Sequence, residues 1–225
     1  MEITRRGFLG CVAGSLTAGL SLGPRRPVDA SPRRVVLDLE EQCGLRESVA
    51  GYESALAGLG TEVTSRGTLL IVPAALDIPP PAVRMIMSRL RAGASVVLES
   101  GAGFAADRDF RAHRAVLRDQ LGVHVEAPIR FWSPPTGSRA IPYIDYTWPS
   151  TAKVRDFSRV VPLGRRRDGA EIIARVDGLP VGLRRRIGPG ELIFLGSPLG
   201  PALWVGDLEA RRWLCDVVTR ERRGR

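Results

Sequence analysis

From Arg34 onward the apolar positions fall into short runs separated by segments with helical spacing. RVVLDLE (34–40) is a β-branched run, and ESVAGYESALAGLG (47–60) carries apolar residues three and four apart before stopping at Gly60. TEVTS (61–65) predicts an edge strand. TLLIVPAA (68–75) is apolar without alternation, the pattern of a strand buried on both faces. PPPAVRMIMSRLRAG (79–93) predicts a helix entered through proline and ended at Gly93, with Val83, Ile86, Met87 and Leu90 along its core face. ASVVLES (94–100) repeats the buried-strand pattern, and a further helix is expected from about Asp107 to Leu121. Three strand–helix units in succession imply a mostly parallel sheet with helices on both faces.

The second half changes period. VHVEAPIRFW (123–132), IPYIDYTW (141–148), RVVPL (159–163) and AEIIARV (170–176) read as short strands, with an aromatic insert over about 129–150. Residues 174–198 then run strand, Asp177-Gly178 turn, strand, Gly188-Pro189-Gly190 turn, strand, which predicts two successive hairpins. A closing helix is expected within 206–222, with Asp207 as its cap and Leu208, Trp213, Leu214 and Val217 available to pack.

The first thirty residues stand apart. Arg5 and Arg6 precede Phe8-Leu9 and a weakly apolar stretch that ends near Leu22, the pattern of a twin-arginine export signal. The stretch is shorter than the ~20 residues that a membrane span needs, and Val28-Asp29-Ala30 offers small residues for cleavage. The expectation is a signal at 1–30 and one α/β domain at 31–225, exported to the periplasm or beyond and membrane-bound only if the signal stays uncleaved. Losing that segment removes four Arg and two acidic residues, and the formal charge falls from +9 to +7.

The remaining charge is scattered, and almost every base is Arg, with Lys153 the sole Lys. Nucleic-acid readers gather charge on one face among aromatics, so a nucleic-acid partner is not expected. Cys43 and Cys215 could pair in an oxidising compartment or remain as two thiols. No Cys-x-x-Cys or His-rich spacing supports a metal, and no cofactor is expected.

Two stretches, TLLIVPAALDIPPPAVRMIMSRLRAGASVVLESGAGF and DGLPVGLRRRIGPGELIFLGSP, resemble the class I glutamine amidotransferase-like fold, a flavodoxin-like sheet. Active members of that family carry Cys in a Gly-x-Cys-x-Gly elbow and a His-Pro-Glu sequence after the late strand. A thiol at a strained turn beside a helix N-terminus has a lowered pKa, and the imidazole takes its proton. Here the elbow position holds Ser100, after Glu99, and the late turn reads Gly196-Ser197-Pro198. The resemblance therefore implies the fold without the amidotransferase triad.

A serine nucleophile would need a base and an orienting acid. The chain has two His: His113, which the sequence places on the surface of a charged helix, and His124, which alternates with valines in a strand. Ser100 also lacks the Gly two residues earlier that a hydrolase elbow requires. The expectation is an exported non-catalytic binding or assembly module of the cell envelope; the alternative is a hydrolase built on Ser100 with His124, or on a carboxylate pair of Glu99 and Asp145, acting on carbohydrate or acyl substrates. For a binding module, the carboxyl edge of the sheet offers Glu99, Ser100, Gly101 and Gly103, and the backbone amides from Ser100 to Gly103 could hold an anion or a carbonyl oxygen. Trp132, Tyr146 and Trp148 could stack on a sugar or meet a protein partner, or serve as core of the insert.

Overall fold

In the computed structural model, residues 33–37, 45–129, 143–156, 160–165 and 169–223 are described. The export motif at Arg5 and Arg6, Cys43 and Trp132 lie outside them. The chain order is β1 (Arg33–Leu37), α1 (Arg46–Gly58), β2 (Thr61–Val63), β3 (Leu69–Ala75), α2 (Pro80–Arg91) and β4 (Ser95–Ser100). A 3₁₀ turn at Ala102–Phe104 leads into α3 (Asp107–Leu121). There follow β5 (Tyr143–Tyr146), β6 (Ala152–Arg155), β7 (Glu171–Val176), β8 (Leu179–Ile187), β9 (Gly190–Leu195), α4 (Gly200–Trp204) and α5 (Leu208–Arg223).

Nine strands among the described residues form one sheet in the order β2-β1-β3-β4-β9-β8-β7-β5-β6. From β2 to β9 the neighbours are parallel, and from β9 to β6 they are antiparallel. The expected mostly parallel sheet is thus corrected to a mixed one. The parallel half keeps the flavodoxin-like 2-1-3-4-5 order with β9 as its fifth strand. Each of the late hairpins adds an antiparallel neighbour because its turn is too short for a crossover. Asp177 and Gly178 both have positive φ, 45° and 80°, as the primed two-residue turn demands. The strands expected at 123–132 and 159–163 shrink, among the described residues, to the bridges Val125–Leu163 and Ile129–Val160.

Alternation along the central strands divides the core into two layers. Leu69, Ile71, Val97, Ile193 and Leu195 face α1, α4 and α5, where Tyr52, Leu56, Leu203, Trp213 and Leu214 are buried. Leu70, Val72, Val96, Leu98, Leu192 and Phe194 face α2 and α3, meeting Ile86, Leu90, Phe110, Leu117 and Leu121. Helices do cover both faces. Strand side chains alternate, so a strand with both faces covered must be apolar throughout, and β3 and β4 are. Asp207 caps α5 as expected, its Oδ1 accepting from the amides of Glu209 at 2.9 Å and Ala210 at 3.1 Å. Leu208 does not pack and is 79% exposed. Among the described residues no helix is long and apolar enough to cross a membrane.

One close approach decides where α1 sits. A Cβ at Gly51 on α1 would lie 2.1 Å from the carbonyl oxygen of Gly200, and one at Gly200 would lie 2.3 Å from the Cα of Ser48. α1 and α4 therefore touch through bare backbone, which brings Tyr52, the next residue along α1, down to the end of β4. Gly51→Ala is expected to lower unfolding stability by about 1–3 kcal/mol through overpacking. Gly58→Ala, where a Cβ meets nothing within 4 Å, should gain up to about 1 kcal/mol from helix propensity. Urea unfolding of the two variants checks both signs.

Candidate functional site at the carboxyl edge of the sheet

β4 ends in Glu99 and Ser100, and both side chains are fully buried. Glu99 Oε1 accepts from the Tyr52 hydroxyl and from the Leu199 amide at 2.9 Å, while Oε2 accepts from the Ala74 amide at 3.1 Å. The Gly200 amide donates to the same carboxyl. Four donors from α1, the end of β3 and the start of α4 thus converge on one side chain. Burial still dominates its ionisation, raising the pKa from 4.5 to about 7 against the opposing pull of these hydrogen bonds. Burial and the neighbouring Glu99 hold the Tyr52 hydroxyl well above its ordinary pKa, so the proton in their hydrogen bond stays with tyrosine. Tyr146 is shifted up as well, by burial first and then by Glu99 and Asp156.

Ser100 points to the other face. Its Oγ lies 3.1 Å from Nε2 of His113 and accepts from the Ala102 amide at 3.3 Å. His113 is not the surface residue that the charged helix suggested. It is fully buried on α3, in line with Phe110, Leu117 and Leu121. That spacing of three and four was the available signal, masked by the Arg and Asp residues between. Burial lowers the His113 pKa from 6.5 to about 4, with Asp77 pulling weakly the other way.

The expected carboxylate partner does not materialise. β5 alternates out and in, so Asp145 faces solvent and pairs with Lys153 at 3.3 Å while Tyr146 turns inward. His124 is half-buried and makes its contact with Gly164 through its backbone carbonyl; His113, not His124, reaches Ser100. Two of the amides expected to be free at the elbow are in use. Gly101 N–H donates to Ala75 at 2.7 Å, and Ala102 N–H is held by Ser100 itself. Gly101 is there for space, because a Cβ would fall 2.1 Å from the Ala74 carbonyl oxygen. Ala74 takes a φ of 42°, unusual for a residue with a side chain, at the point where β3 meets Glu99.

Tyr146 and Trp148 are core residues rather than a stacking surface. Their rings lie 5.1 and 6.5 Å from that of Trp213, whose indole N–H donates to the Trp148 carbonyl at 2.7 Å. At the late turn, Ser197 Oγ donates to Asp156 at 2.7 Å, both buried. That pair, with Tyr52, His113 and Ala74, carries no sequence signal that ties it to the site. Cys215 is half-buried on α5, its Sγ 3.9 Å from the Thr219 hydroxyl; the partner considered for it, Cys43, is outside the described residues.

No family model matches the chain, and no curated protein matches its sequence. Similarity appears among solved structures. A glutamine amidotransferase superposes with a TM-score of 0.52 at 16% identity, over 84% of this chain and 99% of the other. The fold is shared with a glutamine amidotransferase. A cytoplasmic protein of Salmonella typhimurium LT2 gives 0.55 at 12% identity, over 83% and 98% of the two chains. The β-galactosidase of Rahnella sp. R3 gives 0.61 at 14% identity, over 85% of this chain and 31% of that one. Gan42B, a GH42 β-galactosidase from G. stearothermophilus, gives 0.61 at 12% identity over 85% and 30%. The chain spans about a third of the length of the first of the solved structures it matches.

Glu99 and His113 oppose one another in their titration. Glu99 binds its proton more tightly folded than unfolded, so its contribution is full below pH 4.5 and is lost as pH rises through about 7. His113 binds its proton less tightly when folded; its contribution is full above pH 6.5 and is lost as pH falls through about 4. Between 4.5 and 6.5 the slopes offset. Glu99→Gln should therefore expose a Tm that falls on acidification in that window, and His113→Gln one that falls on alkalinisation. Each slope is bounded at about 1.4 kcal/mol per pH unit, the value of one proton. Calorimetry across the window decides, and unchanged slopes in both variants would refute the assignment.

Proposed function

We propose that the chain is an exported, non-catalytic binding or assembly module of the cell envelope, built on a degenerate amidotransferase-like fold. The observation that carries this reading is the state of the elbow. The amidotransferase elbow needs a reactive thiol, and this one ends in a serine whose hydroxyl is buried and closed between His113 and Ala102. Glu99 beside it is fully occupied as a hydrogen-bond acceptor. Both groups support the architecture.

The Ser100–His113 contact favours a hydrolase as the second reading. Two features weigh against it. Nδ1 of His113 is buried with no hydrogen-bond partner among the described residues, so no acid there orients the imidazole as a general base requires. With both residues fully buried, a substrate carbonyl has no path to the hydroxyl. A fluorophosphonate probe is expected to leave Ser100 unlabelled, and p-nitrophenyl acyl esters to be turned over no faster by the wild type than by Ser100→Ala. Labelling or turnover that disappears in Ser100→Ala would establish the hydrolase.

Support for assembly comes from the α4–α5 corner, where Trp204 is 57%, Val205 60% and Leu208 79% exposed. Apolar side chains grouped in this way mark contact surfaces more often than single exposed residues do. The β-galactosidases that share the fold carry it within chains about three times as long, which suggests a carbohydrate-acting enzyme as the companion. The mature domain should co-sediment from envelope extract with such an enzyme and lose it in Trp204→Ser/Leu208→Ser at unchanged Tm. Retention of the companion by that double variant would remove the corner from the interface.

A further inference from the structure

The opposite edge of the sheet holds a concave feature. Where β4 and β9 begin and β8 ends, a groove of about 480 Å³ opens between Arg184, Arg185 and Arg186 of β8, Arg220 of α5, and Glu171 and Glu191. β4 runs six residues from Ser95 in this groove to Ser100 at the elbow. At ~3.3 Å per residue the two sites are therefore about 16 Å apart, and the groove is independent of the elbow.

The charges in the groove do not balance locally. Both carboxylates are engaged by Arg184, whose Nε lies 2.6 Å from Glu171 and whose Nη1 lies 3.3 Å from Glu191. Arg185 gives Nη1 to the Gly122 carbonyl at 2.8 Å, and its Nε is buried with no acceptor among the described residues. Arg186 is exposed and has no acceptor among the described residues. Arg220 lies over the Trp148 ring, 5.3 Å from its centre, with Arg184 at 5.2 Å from the same ring. Two exposed guanidiniums without a carboxylate among the described residues, those of Arg186 and Arg220, thus line one concavity with Arg184, whose carboxylates are already taken, while Arg185 turns to the opposite face of the sheet and the Gly122 carbonyl.

A solvated surface would let like charges diverge. Here alternate positions of one strand fix Arg184 and Arg186 on the same face, and the aromatic contact holds Arg220 beside them. A planar guanidinium matches carboxylate and phosphate oxygens through paired N–H donors, which lysine cannot reproduce. The volume lies within the range of small-ligand sites. We propose that this groove binds a small oxyanion-bearing ligand of about disaccharide size, held chiefly by Arg186 and Arg220. A carboxylate-bearing sugar and a sugar phosphate present the same chemistry to it.

Titration calorimetry on the domain distinguishes the two sources. Digalacturonate supplies carboxylates, glucose 1-phosphate a phosphate, and lactose neither. At least one anionic probe should bind with a Kd below about 1 mM while lactose gives no heat. Arg186→Ala/Arg220→Ala should weaken that probe at least tenfold at an unchanged unfolding midpoint, since both side chains are exposed. Absence of binding by both anions at about 10 mM, equal binding of lactose, or equal affinity in the double variant would each overturn the proposal.

Discussion

The carboxyl group of Glu99 is the junction on which this architecture depends. A carboxylate removed from water is tolerated only when donors replace its hydration, and here they come from three separate elements: the Tyr52 hydroxyl of α1, the Ala74 amide at the end of β3, and the Leu199 and Gly200 amides at the start of α4. Each donor is placed by something further away. Gly51 and Gly200 let the helices meet backbone to backbone, Ala74 adopts a left-handed φ to aim its amide, and Gly101 leaves room for the Ala74 carbonyl. The group ties together the parallel half of the sheet at the edge where related folds carry chemistry.

At the elbow, Ser100 is bonded to its own chain on both sides, to His113 and to the Ala102 amide. In an amidotransferase-like sheet this turn presents a nucleophile at the tip of a strand, with a second strand bringing the base. Here the neighbouring strand, β9, leads into Ser197, which bonds Asp156, and the imidazole comes from α3 beneath the turn instead. His113 is held neutral by burial, lacks an orienting acid among the described residues and sits in line with Phe110, Leu117 and Leu121. A Ser–His contact at 3.1 Å is therefore insufficient evidence of catalysis. Access and the third partner decide.

The antiparallel half of the sheet serves a different purpose. It closes the core around Trp213, with Tyr146 and Trp148 packed on that ring, and it carries the arginines of β8 to the amino edge of β4 and β9. Arg184 and Arg220 both lie against Trp148, so a residue that the sequence offered as an interface aromatic acts as the apolar floor beneath two cations.

The sequence by itself determined the parallel half of the fold, because strands covered on both faces must be apolar throughout and the helices between them must show a three-and-four spacing. It also determined both hairpins, since Asp177-Gly178 and Gly188-Pro189-Gly190 permit little else, and the Asp207 cap. It could not determine the addition of β5 and β6 beyond those hairpins, which depends on which edge of the sheet is free, nor the partners of Glu99 and Ser100. Those come from α1, α3 and the β9–α4 turn, contacts 47, 13 and 100 residues distant in sequence. Local pattern records which face of an element is buried; which buried polar groups meet is settled only when the faces are brought together.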